Sequence, residues 1–127
     1  MNIVDIIKSI NDEDNLNIAT TNSKLFENTS YNIEKIEGDF NYKRFFHFIV
    51  IDKEEDIKKL FRALRNGGYL ITKISYDENF LNDIGFSAIS KIDDWQIIKK
   101  VHSWNDWWCD IILEILQRNY NEKTDFN

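Results

Sequence analysis

The stretch LFRALRNGGYLITKI, from Leu60 to Ile74, joins a helical pattern to a strand-like pattern at a pair of glycines. Glycine often follows a helix because it adopts positive φ without steric penalty. The stretch therefore predicts a helix closed by Gly67 or Gly68 and a strand that begins directly afterwards. The helix itself is predicted by four apolar residues that share one face, namely Ile57, Leu60, Phe61 and Leu64.

The segment before this helix is the apolar run FFHFIVI, residues 45–51. Such a run is typical of a strand that is buried on both faces, as in a parallel sheet covered by helices. The acidic segment DKEED follows at 52–56, and acids suit the first turn of a helix. Asp52 is the predicted N-cap of a helix that begins near Glu54. The strand–helix–strand unit predicts two parallel neighbouring strands.

The remaining segments complete a single α/β domain over residues 1–127. Helical spacing predicts a helix over 2–10 with Asn2 as its cap, and strands are predicted over 16–20 and 31–38. Residues 21–30 form either one helical turn or a loop. A short helix closed by Gly85 precedes two alternating strands, 87–92 and 95–104, joined by a hairpin turn at Asp93-Asp94. The predicted sheet is mostly parallel with a C-terminal antiparallel hairpin, followed by a C-terminal helix.

Composition excludes several classes of protein. The chain has 127 residues, of which 43% are hydrophobic and 30% charged, and no apolar run approaches the roughly 20 residues of a membrane helix. One cysteine excludes an internal disulfide framework. The N-terminal segment carries no export signal, so we expect a cytoplasmic protein. A net charge of −6 opposes non-specific binding to nucleic acid.

The order of motifs from Phe45 to Trp104 resembles the second half of the class I S-adenosylmethionine-dependent methyltransferases. In that family a helix ends in a phrase like LRNGG, a strand like YLITKI follows, and a phrase like IGF precedes a final antiparallel pair. Leu64–Gly68 and Ile84–Phe86 match these phrases, and Glu37–Asp39 resembles the family's "GD" after its third strand. The resemblance covers about residues 31–104 and implies a reduced Rossmann-like sheet.

The resemblance implies two candidate site residues if the protein is an enzyme. Asp39 would correspond to the acid that contacts the adenine of S-adenosylmethionine, and Asp52 to a substrate-facing acid at the carboxyl ends of the strands. Each has a structural interpretation as well. Asp39 also suits a solvated acid after a strand, and Asp52 also suits a helix cap.

The first half of the chain departs from the family. The family's first strand is followed by a glycine-rich loop that holds the cofactor, whereas no glycine precedes Gly38 here. LNIATTNSKLF, from Leu16, is either that first strand without its glycines, or the second strand of a sheet that lacks the first. In both cases the cofactor cradle is missing. We therefore expect no cofactor and no catalysis, with S-adenosylmethionine as the cofactor only if the protein is an active methyltransferase.

The histidines, the cysteine and two of the lysines are explained by structural roles without catalysis or ligand binding. His47 lies within an apolar run, where a histidine is usually a hydrogen-bonded core residue, and His102 is far from it in sequence. These histidines and Cys109 have no metal-ligand spacing, so no metal site is predicted. Lys99 and Lys100 lie among aromatic residues, as on some nucleic-acid-binding surfaces, but the overall acidity disfavours that alternative.

Four tryptophans, Trp95, Trp104, Trp107 and Trp108, fall within 14 residues near the C-terminus. They suit either a cover for the sheet or a protein interface, because tryptophan is enriched at binding hot spots. The leading hypothesis is a non-catalytic methyltransferase-like domain that binds a protein partner or forms a homodimer. The alternatives are an active methyltransferase with an atypical cofactor site and a small nucleic-acid-binding module.

Overall fold

The computed structural model describes residues 2–101, whose strands form one mixed six-stranded sheet in the order β2-β1-β3-β4-β6-β5. The three pairs β1–β2, β1–β3 and β3–β4 are parallel, and β6 runs antiparallel to both β4 and β5. A mostly parallel sheet with an antiparallel hairpin at one edge was predicted, and this is confirmed. The strands are β1 (Asn17–Thr20), β2 (Asn32–Lys35), β3 (Phe46–Ile51), β4 (Leu64–Thr72), β5 (Phe86–Ile92) and β6 (Trp95–Lys100).

Helices cover both faces of this sheet within residues 2–101. Helix α1 (Ile3–Ile10) and a short 3-10 helix (Ser23–Phe26) pack on one face. Helices α2 (Ile57–Ala63) and α3 (Glu78–Ile84) pack on the other. Helix α1 was predicted correctly with its cap, since the Asp5 N–H donates to Asn2 Oδ1 over 2.9 Å. No helix in this part of the chain is long and apolar enough to cross a membrane.

Strand β3 lies in the middle of the sheet and is buried on both faces, as predicted. Phe46, Ile49 and Ile51 pack with α2 and α3, whereas Phe48 and Val50 pack with α1. Neighbouring strands supply the same alternation, so each face has its own hydrophobic layer. The run predicted as a strand begins one residue too early, because Phe45 precedes β3 and is 46% exposed.

The predicted start of α2 is wrong. The helix begins at Ile57, and its N-cap is Asp56, whose side chain accepts from the Lys59 N–H. Asp52 lies five residues before the helix, so it is not a cap. DKEED contains two aspartates that could serve as a cap, Asp52 and Asp56, and the apolar face of the helix selects the second. The carboxylate of Asp52 is therefore available for other partners.

The predicted role of the glycine pair as a helix cap is also wrong. Helix α2 ends at Ala63, and Leu64 caps it with an ordinary φ of −77° before pairing with Phe46 of β3. Phe48 then pairs with Tyr69, so four residues of β4 lie opposite the single residue His47. Residues 65–68, the sequence RNGG, form this bulge, and Gly67 has a φ of +79°. The predicted parallel pairing of β3 and β4 is confirmed.

The C-terminal hairpin follows the sequence pattern closely. Gly85 ends α3 with a φ of +122°, and Asp93 has a φ of +53° in the tight turn between β5 and β6. Within the described residues β6 ends at Lys100, short of the predicted limit at 104. Residues 102–104 of the predicted strand and the predicted C-terminal helix lie outside the described residues.

Candidate functional site

The candidate site lies at the carboxyl ends of β1 and β3, where the strand order reverses. The chain proceeds from β1 outward to β2, and then returns past β1 to form β3 on its other side. In open α/β sheets, ligands bind in the crevice beyond the carboxyl ends of the strands at such a point. Thr20 ends β1 opposite Val50, and Asp52 directly follows β3. The structure thus places Asp52 in the region that the sequence predicted.

Both carboxylate oxygens of Asp52 accept hydrogen bonds from the segment after β1. The Thr21 hydroxyl donates to Oδ1 over 2.8 Å, and the Asn22 side-chain amide donates to Oδ2 over 3.1 Å. The Asp52 N–H in turn donates to the Thr21 hydroxyl over 3.0 Å. A reciprocal pair of bonds therefore ties the two strand ends together across the reversal point.

This network keeps Asp52 ionised. The Thr21 hydroxyl is the largest influence that lowers the pKa of the Asp52 carboxyl, with further lowering from Asn22, its own N–H and the charge of Lys73. Partial burial acts in the opposite direction but does not prevail. A carboxylate whose oxygens are bonded and whose pKa is lowered is poorly suited to proton transfer near neutral pH.

Two buried threonines close the strand ends on either side of β3 in the same way. The Thr20 hydroxyl accepts from the Asn22 N–H over 3.0 Å, and the Thr72 hydroxyl accepts from the Ile74 N–H over 2.9 Å. The Thr20 hydroxyl also donates to the Asn22 carbonyl, and the Thr72 hydroxyl donates to the Ile74 carbonyl. Such bonds between side chain and backbone make a local turn and use the polar groups that a ligand would need.

The segment after β1 differs in shape from a ligand-binding loop. A cofactor loop presents free backbone N–H groups at the start of a helix. Here the chain enters a four-residue 3-10 helix, and the Asn22 side chain accepts the Lys24 N–H at its start. Thr20, Thr21 and Asn22 therefore place bonded side chains where the methyltransferase resemblance would require bare backbone.

Asp39 lies on the surface and belongs to a different part of the carboxyl edge. A cleft of about 340 Å³ lies between the end of β2 and the start of α2, and its lining includes Glu37, Gly38 and Lys53. Neither Asp39 nor Asp52 lines this cleft. The structure thus brings Asp52 together with Thr21 and Asn22, but it does not join Asp39 to them.

Sequence reasoning missed Thr21 and Asn22 as partners of Asp52. The available signal was two polar segments, TTN after β1 and DK after β3, that each follow an apolar strand. Neighbouring parallel strands bring such segments to one edge of a sheet. That signal requires the pairing of β1 with β3, which the sequence left open.

Of the four tryptophans, the structure describes Trp95. Trp95 is 6% exposed, packs with the hydrophobic layer under α1, and has the Lys73 ammonium 5.0 Å from its ring centre. Its ring therefore belongs to the core and is not offered to a partner. Trp104, Trp107 and Trp108 lie outside the described residues, as do His102 and Cys109.

The two lysines of the nucleic-acid alternative have different surroundings. Lys100 is 2% exposed, and its ammonium donates to the Phe61 and Leu64 carbonyl oxygens over 2.8 and 2.9 Å. It is therefore enclosed and cannot reach a phosphate group. Lys99 is partly exposed, with its ammonium 5.8 Å from the Tyr69 ring centre.

Residues 2–101 contain no group of three acid, histidine or cysteine side chains placed to hold a metal ion.

No protein-family model matches this chain, and comparison with the curated proteins finds no relative for it.

Proposed function

We propose that this chain is a non-catalytic, methyltransferase-like α/β domain that acts through contacts with another protein or with a second copy of itself. The observation that carries the proposal is the engagement of both Asp52 oxygens by Thr21 and Asn22. A catalytic acid or base needs an accessible oxygen and a pKa close to the working pH. Each oxygen of Asp52, the residue best positioned for catalysis, already accepts a hydrogen bond from the segment after β1, and the pKa of its carboxyl is lowered.

The proposed relationship to the methyltransferases rests on the sequence resemblance together with the observed sheet. The order β2-β1-β3-β4, with its reversal at β1 and β3 and helices on both faces, supports a Rossmann-like interpretation. The phrase Ile84–Phe86, at the end of α3 and before the antiparallel pair, supports the methyltransferase interpretation, whereas Leu64–Gly68 lies in β4 and not in a helix. In this proposal, the missing glycine loop and the bonded segment Thr20–Asn22 mark a fold that has kept its sheet and lost its cofactor site.

The proposed route of contact is through side chains of the C-terminal region. Both edge strands in residues 2–101 discourage pairing with another chain: β2 has four residues with exposed Glu34 and Lys35, and β5 has a register shift near exposed Lys91. Charges, short strands and bulges are common protection of sheet edges. The tryptophans at 104, 107 and 108 are the better candidates, because tryptophan contributes strongly to binding hot spots.

The first test is calorimetric titration with S-adenosylmethionine and, separately, with S-adenosylhomocysteine. We expect no binding at millimolar ligand, because the segment after β1 presents bonded side chains. Micromolar binding would contradict the proposal and support the alternative of an active methyltransferase. Asp39→Ala and Asp52→Ala would then show which acid contributes to the site.

The second test concerns the partner. Light scattering over a range of protein concentrations should detect a homodimer, and affinity capture with the full chain should detect a different protein. We expect Trp107→Ala or Trp108→Ala to weaken the association. Phe45→Ala is the matched control, because Phe45 is an exposed aromatic residue at the amino end of β3. A monomer at every concentration that also captures no specific partner would oppose the proposal.

A further inference from the structure

A second cleft opens at the amino end of the sheet, away from the Asp52 network. It has a volume of about 450 Å³ and lies between the segment after α1, the start of β3 and the bulge in β4. Pockets that hold small ligands commonly have volumes of about 300–1,000 Å³. Its polar lining comes mainly from Asn11, Glu13, His47, Arg65 and Asn66.

The imidazole of His47 is fixed in this cleft by the backbone of β1. The Asn17 N–H donates to His47 Nδ1 over 3.0 Å, which makes Nδ1 the acceptor of the ring. In a neutral imidazole, the other nitrogen must then carry the proton. His47 Nε2 is therefore a hydrogen-bond donor, and His47 lines the cleft.

The guanidinium of Arg65 meets this donor. Arg65 Nη1 lies against His47 Nε2, and an arginine has only donors to offer. The two groups thus turn N–H bonds toward the same place, and neither can accept from the other. Among residues 2–101, no carboxylate forms an ion pair with Arg65. The contact between the two side chains therefore brings donors together and supplies no acceptor for them.

The bulge holds Arg65 at this position through the backbone. A Cβ atom on Gly68 would lie 2.9 Å from the Arg65 carbonyl oxygen and 3.1 Å from the His47 carbonyl oxygen. Only glycine permits such a close approach of the two strands. The positive φ of Gly67 turns the chain back into β4. The glycine pair therefore builds the rim of the cleft that carries Arg65.

We propose that this cleft binds a small anion, a carboxylate or phosphate group, through the N–H groups of the Arg65 guanidinium and the adjacent His47 imidazole. The planar fork of arginine suits the oxygens of either group, and His47 adds a second donor beside it. Glu13 also borders the cleft and opposes negative charge there. The proposal is independent of the proposed function, because this cleft lies at the amino end of the sheet and the Asp52 network lies at the carboxyl ends of the strands.

The surroundings of His47 provide a direct readout. Burial and the charge of Arg65 lower the pKa of the imidazole, whereas the charge of Glu13 raises it. A bound anion would offset the charge of Arg65 and so raise the pKa of His47. The chain contains two histidines, so a His102→Gln variant assigns the imidazole signals in an NMR spectrum.

The test follows the His47 imidazole signals during titration with inorganic phosphate and, in a separate arm, with acetate. Chloride keeps the ionic strength constant. We expect a saturable change in at least one arm, and the stronger arm identifies the anion class. Arg65→Gln should weaken binding by about tenfold, as expected for loss of a hydrogen bond to a charged group. Glu13→Gln should strengthen binding because it removes a negative charge.

Lys91→Gln is the matched control, since it removes one exposed positive charge from the distant edge strand β5. We expect it to leave the titration unchanged. A signal that does not saturate, or equal affinities in the Arg65→Gln and Lys91→Gln variants, would overturn the proposal and indicate charge screening only. Arg65 is exposed, so the variant should fold, and an unchanged amide spectrum would verify this.

Discussion

The Thr21 hydroxyl donates to Asp52 over 2.8 Å and connects two positions that are 31 residues apart in the chain. The Asp52 N–H donates to the same hydroxyl, so one side chain serves both the carboxylate and the backbone of the residue after β3. This pair closes the point where the strand order reverses. It also sets the ionisation of Asp52, which links the stability of the carboxyl edge to pH.

Replacing Thr21 with valine should destabilise the fold. The change keeps the branched shape but removes the hydroxyl from both Asp52 bonds, and loss of a hydrogen bond to a charged group costs about 1.5–3 kcal/mol. We expect the lower end of that range, because the pair is only partly buried. Urea unfolding measures the change. A double-mutant cycle with Asp52→Asn should show coupling between the two sites, and strict additivity would contradict the proposed interaction.

The contribution of Asp52 to stability should disappear in acid. Its pKa is lower in the folded chain than the ordinary value of 3.8, so folding favours the ionised form. This stabilisation is present above the ordinary value and is lost as the pH falls through the lower folded value. Urea unfolding of the wild type and Asp52→Asn should therefore differ most near neutral pH and converge in acid. A difference that is constant across this range would contradict the linkage.

The sequence predicted those elements whose causes are local. The apolar run of β3, the cap of α1 at Asn2 and the Gly85 end of α3 depend on residues close to one another in the chain. The N-cap of α2 was misplaced because DKEED offers two aspartates, and only packing against the sheet selects Asp56. Asp52 could not be assigned its partner because Thr21 reaches it through the pairing of β1 with β3.

The glycine pair also shows how a contact distant in sequence overrides a local pattern. Local pattern alone predicts that a helix continues to the glycines. The helix stops earlier because Leu64 pairs with Phe46 of β3, and this pairing outweighs the helical pattern. The glycines then shape a bulge opposite His47. The cleft beside that bulge could not be predicted, since it requires three segments that are distant in sequence.

Replacing Lys100 with methionine should destabilise the fold despite the similar length of the two side chains. The ammonium of Lys100 donates to the Phe61 and Leu64 carbonyl oxygens at the C-terminal end of α2, where helical carbonyls lack partners within the helix. Methionine would leave these buried oxygens without the bonds, at a cost of about 1–3 kcal/mol. Thermal or urea unfolding would measure the loss.

The control for this prediction is Lys91→Met, because Lys91 is exposed on β5. A substitution at such a site usually changes stability by less than about 0.5 kcal/mol. Equal stability of the Lys100→Met and wild-type proteins would mean that water or other groups satisfy the two carbonyl oxygens. The proposed closure of α2 by Lys100 would then be wrong.

Substitutions at the two adjacent glycines should have different effects. In Gly68→Ala the added methyl would meet two backbone oxygens at 2.9 and 3.1 Å, so β3 or the bulge must move, and overpacking of this kind costs about 1–3 kcal/mol. Gly67 has open space at its Cβ position but a φ of +79°. Asparagine tolerates that region better than most residues, so Gly67→Asn should cost less. Urea unfolding of the two variants compares them directly, and a larger loss for Gly67→Asn would refute the close approach of the strands at Gly68.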